Sequence, residues 1–165
     1  MSTETEAGTE LETGSGFAPW QAGALGGIVG AIGFGLFMMF VVPDPVLDVA
    51  IPTLYGVEAT PDDPALVAGW VAHLAHGAIL GTGFALVMQV DANDEFAFTN
   101  SRAGLVGLLY GIVMWGLLAM FIMPVWLYTM GLAGPGVPNI SELSLIGHSL
   151  YGVLLGIGFN VLAAR

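Results

Sequence analysis

Four long stretches of the chain carry no charged side chain: Ala22 to Val42, Pro64 to Val90, Ala103 to Leu132 and Leu143 to Ala164. Each is at least 21 residues long. A helix of about 20 apolar residues crosses a hydrocarbon core about 30 Å thick. No water is present there to pair with backbone N–H and C=O groups, so a helix, which pairs its own, is the expected form. A transmembrane β-barrel would instead show alternating segments of about ten residues. The pattern therefore predicts an all-α, polytopic membrane protein with four transmembrane helices. The polar start, MSTETEAGTELETGSGF, carries Glu4, Glu6, Glu10 and Glu12 where a signal peptide would carry positive charge. It reads as a disordered acidic tail over 1–17, ahead of a four-helix domain over 18–165.

Composition sharpens this picture. Of 165 residues, 56% are hydrophobic and only 9% charged, and the mean hydropathy is +0.84. Soluble domains run near a quarter charged. The absence of cysteine excludes disulfide frameworks, thiolate metal sites and a cysteine nucleophile. Two basic residues, Arg102 and Arg165, exclude an electrostatic nucleic-acid binder. With four spans, both arginines fall on one side together with the two chain ends. The positive-inside rule then places both termini in the cytoplasm of a multi-pass cell-membrane protein. Trp20 at the inner end of the first helix, and Trp126 and Tyr128 near the outer end of the third, fit an aromatic belt. The net charge of −11 with no lysine fits a high-salt cytoplasm, where charges are screened over about 3 Å at 1 M. The chain reads as that of a halophile, and its outer acids Asp44, Asp48, Glu58, Asp62 and Asp63 as solvation chemistry.

The hydrophobic stretches repeat. Residues 23–43, GALGGIVGAIGFGLFMMFVVP, match residues 104–124, GLVGLLYGIVMWGLLAMFIMP, at eight of 21 positions without a gap. Residues 73–84, HLAHGAILGTGF, match residues 148–159, HSLYGVLLGIGF, at six of 12. The offsets are 81 and 75 residues. The fold expected is a tandem repeat of a helical hairpin, repeat 1 over about 18–90 and repeat 2 over about 103–165, related by a pseudo-twofold axis along the membrane normal. Thr60-Pro61-Asp62-Asp63 and Asn139-Ile140-Ser141-Glu142 offer cap-plus-acid spacings for helices 2 and 4. Asp44 to Gly56, with two prolines, predicts a short interfacial or re-entrant piece. Glycines four apart, Gly26–Gly30, Gly77–Gly81, Gly107–Gly111 and Gly152–Gly156, predict close helix packing of the GxxxG kind. The same spacing also leaves room for a flat cofactor or an oligomer seam.

All three histidines lie within the spans, where ionisable groups are costly and mark candidates for function. His73 and His148 each stand 17 residues from the inner end of their helix, so both lie about 25 Å deep. Under the pseudo-twofold they share a cluster with His76 and its repeat partner Tyr151. Four roles compete: interhelical hydrogen bonding by neutral imidazoles; one b-type haem ligated by His73 and His148; a proton or substrate site; or a zinc or copper site. No basic residue stands at the outer end to hold haem propionates, and no acid lies within the spans. Ser149 beside His148 is adjacency only, and hydrolase and phosphate-loop motifs are absent.

The glycine-rich helix ending in Met123-Pro124, followed by His148-x-x-Tyr151-Gly152-x-x-Leu155-Gly156, resembles uncharacterised small integral membrane proteins of haloarchaea. More loosely it is similar to YagU-type inner-membrane proteins. The resemblance implies a four-helix polytopic protein and supplies no catalytic residue. The expectation is a non-enzymatic, transport-related or accessory membrane module, without a cofactor. Its partners would be the lipid bilayer and a homo-oligomer or larger membrane complex. A haem b electron-transfer subunit is the alternative.

Overall fold

The computed structural model describes residues 16–90 and 99–163. The acidic stretch expected over 1–17 lies outside them except for Gly16 and Phe17, as do Arg165 and the segment 91–98. The described chain is all-helical, and four of its helices are long and apolar enough to cross a membrane. We call them α1 (Pro19–Phe40), α2 (Leu66–Val90), α3 (Asn100–Thr129) and α4 (Glu142–Leu162). Phe17 N–H donates to Leu162 O at 3.0 Å, and Phe17 pairs with Ala163. Asn160 Nδ2 donates to Asn100 Oδ1 at 2.7 Å at the same end. That end is called inner below, and the opposite one outer.

The ends of the helices follow local chemistry. Pro19 opens α1 where its missing N–H costs nothing, and Gln21 Oε1 accepts from Ala18 N–H at 3.1 Å. The helix stops at Phe40, three residues before Pro43. Between α1 and α2, a π-turn over Val46–Ala50 runs into Ile51–Thr53 and buries Leu47, Ile51 and Pro52. This is the short piece expected between Asp44 and Gly56.

The expected cap at Thr60 is corrected. Thr60 and Asp63 close a loop on themselves: Asp63 N–H donates to Thr60 Oγ1 at 3.1 Å, and Thr60 N–H donates to Asp63 O at 3.1 Å. Pro64 delays the helix, which begins at Leu66. At α4 the cap is Ser141, whose Oγ accepts from Ser144 N–H at 3.3 Å, and Glu142 sits in the first turn. Asn139, the residue expected to cap, is engaged elsewhere.

Where it is engaged explains a second departure. The shared proline ends α1, whereas α3 runs through Pro124 to Thr129. A proline inside a helix leaves the carbonyl four residues back without a donor; here that is Met120 O. Residues Trp115–Ile122 adopt a π-helix, and Met123 N–H donates to Leu118 O rather than Ala119 O. Asn139 supplies both missing donors: its N–H reaches Met120 O at 2.9 Å, and its Nδ2 reaches Ala119 O at 3.4 Å. Gly131, at φ 72°, then ends the helix, with Leu132 N–H on Leu127 O at 3.0 Å. Asn139→Ala is expected to destabilise the protein by about 1–3 kcal/mol, the cost of a buried carbonyl left unpaired. Reversible unfolding in detergent measures it, and a change within error would refute the role assigned to Asn139.

The packing order is α2–α1–α4–α3. Within each hairpin the backbones touch. A Cβ built on Gly27 would overlap the carbonyl oxygen of Gly77, and one on Gly23 that of Gly81. In the second hairpin, a Cβ on Gly107 would overlap Gly152 O, and one on Gly156 would overlap Ala103 O. The matching pairs are thus Gly27 with Gly107 and Gly23 with Ala103, an offset of 80 residues. The sequence match at 81 aligns glycine with glycine but not face with face. Gly26 and Gly30 do not pack within their hairpin: they meet Leu155, Phe159 and Tyr151 of α4.

One helix therefore carries two glycine faces and its counterpart only one. At the offset of 80, α3 has Val106 and Tyr110 where α1 has Gly26 and Gly30. The α1–α4 seam closes to backbone contact, while the α2–α3 seam is bridged by a side chain. Tyr110 O–H donates to Leu80 O at 2.8 Å, and its ring meets Phe84 edge-on at 5.2 Å. A twofold arrangement would make the two seams alike; the bulk of Tyr110 and Val106 makes them differ.

Candidate functional site

The polar residues expected to cluster lie in three places. His73, on α2, is 8% exposed, and its Nε2 donates to Ala31 O of α1 at 3.0 Å. His148, on α4, donates from Nδ1 to Ser144 O at 2.8 Å, one turn back in its own helix. With the protons so placed, His73 Nδ1 and His148 Nε2 are the lone-pair nitrogens of the neutral rings. The two imidazoles do not touch. The ring of Phe34, on α1, stands between them: its centroid is 5.5 Å from that of His73 and 4.8 Å from that of His148, edge-on to both. Gly147 makes room for that ring, since a Cβ there would overlap it. Trp70 closes the far side of His73 at 6.2 Å and covers Gly35.

Tyr151 lies deeper, 3% exposed, and donates to Gly77 O of α2 at 3.0 Å. It joins α4 to α2 across the core, away from the imidazoles. His76 leaves the interior altogether. It is half-buried at the outer rim, and its Nε2 is hydrogen-bonded to the hydroxyl of Tyr55. The Tyr55 ring packs edge-on against Trp126 of α3 at 5.9 Å. The expected group of four is thus a pair held apart by a phenyl ring, one hydroxyl in the core and one histidine at the rim.

Three of the four bond a backbone carbonyl and the fourth bonds a tyrosine. Helical carbonyls already accept from the i+4 amide, and their second lone pair takes these donors without breaking the helix. The chemistry on display is the tying of helix to helix at Ala31 O and Gly77 O. For one iron or zinc to take both His73 and His148, Phe34 would have to leave the space between them. Among the described residues no three His, Asp or Glu side chains are grouped to hold a metal ion. Trp115 Nε1 is a buried donor with no partner among the described residues.

Sequence reasoning missed Phe34, Tyr55, Tyr110 and Asn139. Phe34 and Tyr110 sit in apolar runs where any aromatic looks like packing. Tyr55 reaches His76 from a loop 21 residues away, and periodicity carries no signal for such a contact. The glycines could have revealed Phe34: Gly147 lies next to His148, and a missing side chain beside a histidine marks a place for someone else's ring.

The fold and these residues define a class, an all-helical chain with four helices able to span a membrane and interhelical ties made by histidine and tyrosine. No protein family matches the chain, and no curated protein or solved structure is similar to it.

Proposed function

We propose that the chain is a non-enzymatic, multi-pass integral membrane module of a transport-related or accessory kind, whose buried polar groups hold the bundle together. One observation carries this reading: His73, His148 and Tyr151 spend their donors on backbone carbonyls, and Phe34 fills the space between the imidazoles. A catalytic histidine needs its nitrogen within hydrogen-bond reach of a substrate atom. The inner end, with Phe17, Ala163 and Arg102, is the cytoplasmic face on the positive-inside rule. Duplication of a hairpin accounts for two hairpins that close on glycine in the same manner. The lysine-free, acidic composition supports a halophilic source.

The second reading, a haem b subunit, draws on His73 and His148 flanking one point from two helices. The test is a visible spectrum of the detergent-purified protein from a haem-competent host, oxidised and then reduced with dithionite. The expected result is a colourless protein, with His73→Ala and His148→Ala both folded and unfolding at lower temperature. Interhelical hydrogen bonds in membranes average about 0.6 kcal/mol, and loss of imidazole packing adds to that. A Soret band with sharp reduced α and β bands, lost in either variant, would replace this reading with the haem one.

A further inference from the structure

We propose that the outer half of α3 holds the chain of a membrane lipid, with the lipid's headgroup at the Tyr55–His76 pair. The inference rests on the helices crossing a bilayer and is independent of the histidines' role in the core. The surface is a shallow trough of about 370 Å³ lined by Phe121, Ile122, Val125, Trp126 and Thr129. It lies where α3 changes register, from the π-helix ending at Ile122 to the α-helix starting at Met123. A π-turn offsets the side chains on either side of it, and such turns recur at functional sites. The four apolar side chains of the trough are each between 41% and 49% exposed. They face outwards from the span of highest mean hydropathy, 2.3, of which only 17% is buried in the bundle.

The trough has a polar end. Trp126 lines it and also packs on Tyr55, whose hydroxyl is bonded to His76. An amphiphile with its chain along Phe121, Ile122 and Val125 would therefore bring its head to a hydroxyl and an imidazole. The surrounding charge selects the head. Asp44, Asp48, Glu58, Asp62, Asp63 and Glu142 all belong to the outer end, and Arg102 is at the inner one. An excess of one sign repels like charge and favours the opposite one. The occupant is a lipid with an amine or hydroxyl head, and a net-anionic head is disfavoured.

Trp126 reports on it directly. The protein is reconstituted in phosphatidylcholine vesicles containing increasing fractions of dibromo-acyl phosphatidylcholine, and tryptophan emission is compared between the unaltered chain and Trp126→Phe. The difference isolates Trp126. The expected quenching saturates at a far smaller brominated fraction than random lipid contact requires. It is weaker when the brominated lipid is phosphatidylglycerol, and the saturable part is lost in Ile122→Phe, which fills the trough at an exposed position. Quenching that merely follows the brominated fraction, in both variants and both lipids, would overturn the site. Equal saturation with the two heads would overturn the headgroup selection. A Trp126 that no brominated lipid quenches, with cross-linking through this face, would assign the trough to a second copy of the chain and overturn the proposal. Spin-labelled lipid, read by its immobilised fraction, gives the same comparison without a tryptophan variant.

Discussion

Gly27→Leu is expected to abolish the native bundle, whereas Gly116→Ala is expected to leave it intact. At Gly27 the added carbon would land on the carbonyl oxygen of Gly77 and close to the Cα of Gly81. Both obstacles are backbone, so no side chain can rotate away. Overpacking an ordinary core costs about 1–3 kcal/mol because neighbours shift. Here α1 and α2 must separate along their length, which also pulls His73 from Ala31 O and opens the contact of Gly23 with Gly81. The loss therefore exceeds that range. Gly116 lies in the π-helical part of α3 with nothing within 4 Å of a built Cβ. Alanine there is expected to be neutral, or to stabilise by up to about 1 kcal/mol through lower chain entropy. Thermal unfolding in detergent, followed by near-ultraviolet circular dichroism, separates the two. A Gly27→Leu protein that melts cooperatively at the original temperature would remove the close-contact account of the first hairpin.

Phe34→Ala should have the next largest effect, a destabilisation of about 3–5 kcal/mol, the usual cost of deleting a buried aromatic ring. The ring touches three helices at once: it meets His73 on α2 and His148 on α4, and it occupies the space over Gly147. Removing it leaves a void between two imidazoles, each still bonded to a carbonyl. Gly147→Ala is destabilising on its own because the methyl meets the Phe34 ring. In the Phe34→Ala background the same change should cost less, or become favourable, as neighbours sharing one space do not add. Additive effects of the two substitutions would show that the ring and the glycine do not share that space. The result bears on function, since a protein that falls apart without Phe34 is using the region between its histidines for packing.

The spans were legible because one physical rule dominates them: charges are excluded from long apolar helices, and the absence of charges is visible in any sequence. Their ends were less so, because a cap is one option among several for the same side chain. Thr60 closes a loop with Asp63, and Asn139 serves carbonyls on α3 that become free only because α3 passes through Pro124. The same Met-x-x-x-Pro spacing ends one helix and not the other, and the deciding residue lies 15 positions beyond the proline. The register of the repeat was misleading by one residue. A gapless match rewards glycine over glycine, but packing depends on the face each glycine occupies, and α1 has two such faces. The depth of His73 and His148 was readable from helix rise. The ring between them was not, because an apolar residue on a third helix leaves no polar signal.

The bond from Phe17 to Leu162 O has a further consequence. The described chain leaves the bundle beside the point where it enters, so its path is almost a closed ring of four helices. Cyclic order around that ring is α1, α2, α3, α4 and back to α1, and a ring has no first hairpin. The closed α1–α4 seam lies between helices that are farthest apart along the chain, and the side-chain-bridged α2–α3 seam lies between sequential ones. Contact here follows the glycines and not proximity in sequence. Cutting the ring between α2 and α3 and joining it at Phe17 and Ala163 would reorder the gene while keeping every interhelical neighbour.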